Sequence, residues 1–233
     1  MLRFYAITVI DLLDSLGYDW YLKMDDDSFI RSPIDYNLFE FMEEHDYECG
    51  YRVDIKDGGA IARGFGEAVL AYIKAEKLTP SFLRERLQPT PLKVQFKNLV
   101  KASLMHVFPD RRYGLHPAFE YDYWCYYSNF FLTKLSFWKR KDVRAFMNHF
   151  DRMGGWYKYR WTDLAVQSAA IQIFMQKDKV HKFTDWTYEH ATIVNGEVRC
   201  GGIYEGTNDR DSEAVKRFHA TYRRAEHFPD WTR

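Results

Sequence analysis

Asp25, Asp26 and Asp27 stand side by side in "YDWYLKMDDDSFI", at the end of an apolar run. Three adjacent carboxylates repel one another unless water or a cation screens them. Two readings compete. The triplet is a solvated turn, the ordinary role of a short charge run, or it holds a divalent cation through hard carboxylate oxygens. In an extended segment alternate side chains share a face, so the second reading selects Asp25 and Asp27. A cation held there neutralises a phosphate leaving group, whose departure builds negative charge.

The surrounding pattern places the triplet. Trp20, Leu22 and Met24 alternate with Tyr21 and Lys23, the period of a strand. The aspartates follow at its C-terminal end, where ligands collect in open α/β sheets. Upstream, Leu2, Ala6, Val9, Leu13 and Leu16 define one face of an amphipathic helix that stops at Gly17. Residues 32–45 predict a turn and a helix, 47–55 a strand, and 64–78 a helix ending before Pro80. The "GFG" in that helix is too short for a phosphate-binding fingerprint. Residues 79–118, punctuated by Pro80, Pro89 and Pro91, predict a short helix and then a loop. Residues 121–138 are aromatic and strand-like. The next helix carries Val143, Phe146, Met147 and Phe150 and stops at Gly154 and Gly155. Thr162 is expected to cap a further helix, with Asp163 in its first turn, where the dipole favours negative charge. Residues 179–190 read as a short strand running into a loop. Strands alternating with helices predict an α/β fold with a mixed sheet.

Composition narrows the function. The chain has 233 residues, enough for a substantial core, with 33 basic and 33 acidic side chains. That balance gives no positive field for nucleic acid or an anionic membrane. Aromatics reach 18%, which suits a core and also a cleft that stacks on sugar or base rings. Cys49, Cys125 and Cys200 show no CxxC spacing, against a zinc ribbon or a thioredoxin-like motif; one disulfide with one free thiol stays open. The most apolar start, "FYAITVIDLLDSLG", is broken by Asp11 and Asp14 and has no cleavage-site pattern.

Three blocks resemble one known family, the fungal-type α-1,2-mannosyltransferases of glycosyltransferase family 15. The strongest is "YYSNFFLTKLSFWKRKDVRAFMNHFDRMGGWYKYRWTDLAVQS": an S-N-F tripeptide, an F-W pair, a helix, an H-x-D-x-x-G-G run and a W-x-D motif. The others are "KVHKFTDWTYEH" and "RFYAITVIDLLDSLGYDWYLKMDDDSF". The resemblance implies an α/β, GT-A-like mixed sheet flanked by helices, in one catalytic domain over residues 1–233. It implies GDP-mannose as donor, a divalent cation, usually Mn²⁺, and α-1,2 transfer with retention to an α-mannoside on a glycoprotein or oligosaccharide, as in mannan. It further implies a Golgi type II membrane protein whose anchor lies upstream. Family members also carry about a hundred residues before the helix that opens this chain, so a Rossmann-like nucleotide half truncated at its N-terminus is expected, with an exposed sheet edge.

Residue by residue, the resemblance gives His190 as a metal ligand beside Asp25 and Asp27. It gives Asp25, Asp26, Asp27 and Arg160 to the diphosphate, and Asp163 and Asn129 to catalysis. Arg160 reads equally as a surface ion pair, and Trp161 and Tyr159 read either as a sugar-stacking surface or as packing. One departure stands out: the family has a Glu after S-N-F, and here Phe131 occupies that place. Phenylalanine neither attacks nor stabilises by charge. Either no protein nucleophile is used, or another acid substitutes (Glu120 and Asp122 are near in sequence), or activity is lost. The rivals are therefore a catalytically silent sugar-binding relative and a GT-A transferase using another sugar nucleotide.

Overall fold

A computed structural model describes residues 3–56, 64–89, 119–208 and 212–224. Most of the predicted loop of 79–118 lies outside them. The chain divides into two compact units: Met1–Thr8, Lys56–Cys125 and Lys141–Lys177 form one, and Val9–Ile55, Tyr126–Arg140 and Asp178–Arg233 the other.

The second unit holds two four-stranded sheets. In the first, Trp20–Met24 pairs antiparallel with Phe130–Lys134, which pairs antiparallel with Cys49–Tyr51, which pairs parallel with Val180–Lys182. This is the mixed sheet that the sequence predicts. In the second, Ser28–Ile30 pairs with Tyr188–Val194, which forms a hairpin with Glu197–Tyr204; Arg223–Arg224 closes the far side. Asn195 and Gly196 turn the hairpin with φ of 53° and 78°, the two left-handed residues of a type I′ turn. Met42, Val53, Phe130, Leu132, Phe183, Trp186 and Tyr188 form the core. Helix Leu38–Glu44 supplies Met42 to it, and the Asn37 side chain caps that helix by accepting from Phe39 and Glu40.

In the first unit, helix Lys141–Met153 buries Val143, Phe146, Met147 and Phe150, the face read from the sequence. Helix Asp163–Phe174 is capped by Thr162 Oγ, which accepts from the Ala165 amide at 3.2 Å. It is buried continuously from Ala165 to Ile173. Trp161 is 1% exposed and meets Phe65 and Phe150 at centroid distances of 5.4 and 5.7 Å. It is a packing residue.

Three expectations are corrected, and one open alternative, a disulfide, is closed. The first helix opens as a π-turn, Phe4–Thr8, before the α-helix Val9–Ser15. The wider turn shifts the phase: Ala6, Ile7 and Ile10 are buried, while Leu16 is 62% exposed. Phe137 and Trp138 sit in a helical turn, Leu135–Lys139, not in a strand. The 179–190 segment ends in a strand, so His190 is held by a ladder and not by a loop. The three cysteines are free thiols.

Two outcomes follow. A Cβ on Gly155 would lie 2.0 Å from Trp161 Cε3, so Gly155→Ala destabilises by about 3 kcal/mol through overpacking, measured by urea unfolding. His181 packs against Phe41, Tyr47 and Phe183. Burial lowers its pKa, Asp185 opposes this and His45 reinforces it. The folded state therefore binds fewer protons than the unfolded chain. This contribution is complete above the ordinary imidazole value of about 6.5 and is lost as pH falls below it. His181→Phe flattens the decline in unfolding free energy between about pH 7 and pH 5.

Candidate functional site

The acidic triplet connects the two sheets of the second unit. Strand Trp20–Met24 ends just before it and strand Ser28–Ile30 begins just after it. The Ser28 amide donates to the Asp25 carbonyl at 3.1 Å, closing a β-turn over Asp26 and Asp27. Asp25 and Asp27 are half-buried and Asp26 is exposed. A turn, not extended alternation, places Asp25 and Asp27 together.

The turn is anchored by backbone. The Asn129 carbonyl accepts the Asp25 amide at 3.0 Å. The Tyr188 hydroxyl lies 3.0 Å from the same oxygen and 2.8 Å from Ser28 Oγ. Burial raises the Tyr188 pKa, and the Asp25 and Asp27 charges add to this, so its hydroxyl stays a neutral donor.

His190 reaches the turn from the neighbouring strand, where it stands directly opposite Ser28. Its side chain is 6% exposed, with Nε2 3.2 Å from Asp27 Oδ1 and 3.8 Å from Asp25 Oδ2. Tyr127 covers the ring edge-to-face at 5.0 Å. On the other flank Gly201, opposite Ala191 on the hairpin's second strand, must be glycine. Gly201 has φ +77°, and a Cβ there would lie 2.0 Å from the His190 carbonyl oxygen. His190 Nδ1 is buried without a hydrogen-bond partner among the described residues, and Nε2 is the nitrogen that faces the cluster.

The ligand atoms of Asp25, Asp27 and His190 lie within 4.8 Å of one another. Two carboxylate oxygens and one imidazole nitrogen suit a Mn²⁺-class cation, so the residues present fit such an ion. Lys23 joins these three side chains. Lys23 Nζ is 3.1 Å from Asp25 Oδ1 and 3.0 Å from Ser128 Oγ. Sequence reasoning passed over Lys23. The alternation in its strand was legible, but its sense was not: Tyr21 is 7% exposed, whereas Leu22 and Met24 are 38% and 47% exposed. Lys23 thus shares the face of Tyr21, and the two apolar residues stay exposed on the edge strand, opposite the buried Leu132 and Phe130.

The remaining sequence candidates are placed as follows. Asn129 is fully buried, and its side-chain Oδ1 and Nδ2 have no partner among the described residues. Phe131 is 1% exposed and packs on Trp138. Asp163, 5% exposed, and the exposed Arg160, with φ +59°, belong to the first unit. Asp122 accepts from the Trp124 amide at 3.0 Å and faces Arg86 at 3.9 Å, a structural use of that acid.

Comparison with known proteins gives a consistent result. The sequence pattern of the family described as glycolipid 2-alpha-mannosyltransferase matches residues 1–209. Glycolipid 2-alpha-mannosyltransferase 2 of Candida albicans is 27% identical over 194 residues, 83% of this chain and 36% of the relative. O-glycoside alpha-1,2-mannosyltransferase homolog 5 of Schizosaccharomyces pombe is 26% identical over 80% of this chain and 44% of its own. Among solved structures, the Mn/GDP form of core-mannan synthase A from Aspergillus fumigatus superposes with a TM-score of 0.63 at 21% identity, covering 82% of this chain and 47% of that one. The Saccharomyces cerevisiae mannosyltransferase Ktr4p in complex with GDP gives 0.60 at 20% identity, covering 91% and 48%. The chain spans less than half the length of these relatives. The likeness shows the mixed α/β, GT-A-like fold expected from the sequence. With its pattern matched over residues 1–209, the chain belongs to the glycolipid 2-alpha-mannosyltransferase family.

Proposed function

We propose that the chain carries the donor site of a mannosyltransferase that moves mannose from GDP-mannose to an α-mannoside acceptor, in α-1,2 linkage and with retention. The observation that carries this reading is the convergence of Asp25, Asp27 and His190 in one turn–strand junction. The relatives' names support it, as do the Mn/GDP and GDP complexes of the structural neighbours. Residues 1–233 are proposed to act as a single catalytic domain. The proposed setting is the Golgi lumen, with glycoprotein or oligosaccharide acceptors; no described helix is long and apolar enough to cross a membrane.

Bound Mn²⁺ supplies Lewis-acid stabilisation of the departing diphosphate. Asp25, Asp27 and His190 Nε2 would hold such an ion. Asp26, exposed at the turn, faces solvent and tunes the local charge. The buried Asn129 carboxamide, with donor and acceptor unpartnered among the described residues, is proposed to orient a sugar hydroxyl. For Asp163 and Arg160 the proposal rests on the family resemblance: Asp163 offsets positive charge at the anomeric carbon and Arg160 neutralises phosphate. Phe131, buried on Trp138, is given no role as nucleophile. It also favours a second reading, a catalytically silent sugar-binding relative, which detectable turnover with GDP-mannose excludes.

The test is calorimetric titration with GDP, with and without MnCl₂. Asp27→Asn is expected to abolish the Mn²⁺-dependent part of binding. GDP affinity that is independent of Mn²⁺, or unchanged in the variant, refutes the site. Tyr188→Phe removes the hydroxyl that ties the turn to the His190 strand. It should weaken Mn²⁺ binding about 10-fold while the fold persists, read from the EPR signal of free Mn²⁺.

A further inference from the structure

Lys23 places a fixed positive charge inside a cluster built for a cation. Its side chain is only 11% exposed, and Nζ lies 3.1 Å from Asp25 Oδ1. His190 Nε2 approaches the other oxygen of the same carboxylate, Oδ2, at 3.8 Å. Asp25 is thereby divided: one oxygen is held by the ammonium and one looks toward His190. Ser128 Oγ, 3.0 Å from Nζ, fixes the ammonium from a second side. In the sheet register Lys23 stands directly opposite Phe131, which offers it no charge.

Two effects of opposite sign follow. The ammonium offsets the charge of Asp25 and repels a divalent cation, so it weakens binding of the metal alone. The same ammonium attracts a diphosphate, with which charge-assisted hydrogen bonds are strong. The penalty on the metal is offset only when the anion arrives.

We infer that Lys23 couples the two ligands, so that the site takes up the divalent cation and the nucleoside diphosphate together and holds the cation weakly without it. This rests on the proposed donor site and adds a residue and a binding order to it. Because coupling is reciprocal, it is read from either ligand.

The experiment titrates MnCl₂ alone, GDP alone, and GDP at saturating MnCl₂ into the wild-type chain, Lys23→Met and Lys23→Arg, with thermal unfolding as the check of folding. Lys23→Met is expected to bind Mn²⁺ alone more tightly and GDP less tightly. The factor by which each ligand improves the other falls about 5-fold or more. Lys23→Arg keeps the charge and retains the coupling. A Lys23→Met protein whose Mn²⁺ and GDP affinities fall together, or stay unchanged, overturns the inference and leaves the donor site standing. A wild-type chain with no Mn²⁺-dependent GDP binding overturns both.

Discussion

A single carbonyl oxygen, that of Asn129, holds the candidate site together. It accepts the Asp25 amide at 3.0 Å and lies 3.0 Å from the Tyr188 hydroxyl and 3.4 Å from Ser28 Oγ. The first contact fixes where the acidic turn begins, and the other two fix where it ends. Tyr188 belongs to the strand of His190, so the same atom relates that strand to the turn. A buried carbonyl is costly unless it is hydrogen-bonded, and this one is satisfied from both sheets. The carboxylates therefore stay close in spite of their repulsion, because backbone and neutral donors hold the turn and the charged side chains need not.

The strand pair that presents His190 is also fixed at its open end by a buried cation. Arg52, 4% exposed, donates to the Trp186, Tyr204 and Glu205 carbonyls at 2.9, 3.0 and 3.1 Å, and its guanidinium lies 5.4 Å from the centre of the Trp186 ring. Trp186 lies just before the first strand of the hairpin, and Tyr204 ends the second. Burial lowers the Arg52 pKa, yet a guanidinium keeps its charge in such a setting. Its planar fork matches several carbonyls at once. Arg52 and Tyr188 both hold the open end of the hairpin, close to His190 in the chain, and a rigid ligand loses little entropy when an ion binds.

The parts of this arrangement that were legible in the sequence depend on local rules. Helix Lys141–Met153 announced its buried face by spacing, and Thr162 announced the start of the next helix by its capping chemistry. Asp25 and Asp27 drew notice because adjacent charges need an explanation. His190 was legible only through family resemblance, since nothing local distinguishes it from any other strand histidine. Other features are tertiary. The π-turn at Phe4–Thr8 rotates the helix face without a marker in composition. Leu22 and Met24 stay exposed opposite the buried Leu132 and Phe130 because their strand is the sheet edge, whereas Thr133, opposite Tyr21, is covered by Trp138, whose indole donates to its hydroxyl at 3.0 Å. The Asn195–Gly196 turn was a short-range hairpin signal in plain view; it lies beyond His190, where the motif reading stopped.

Phe131 is best understood together with Lys23. Directly opposed residues in an antiparallel pair place their side chains on one face, about 5 Å apart at Cβ, and Phe131 opposes both Lys23 and Tyr51. A carboxylate at this position would be buried beside the ammonium and would compete with Asp25 for it. An apolar ring closes that alternative and packs against Trp138. The charge of Lys23 is then directed along the strand to the turn, where Asp25 Oδ1 receives it. The departure from the family pattern and the ion pair at the head of the turn are two sides of one arrangement.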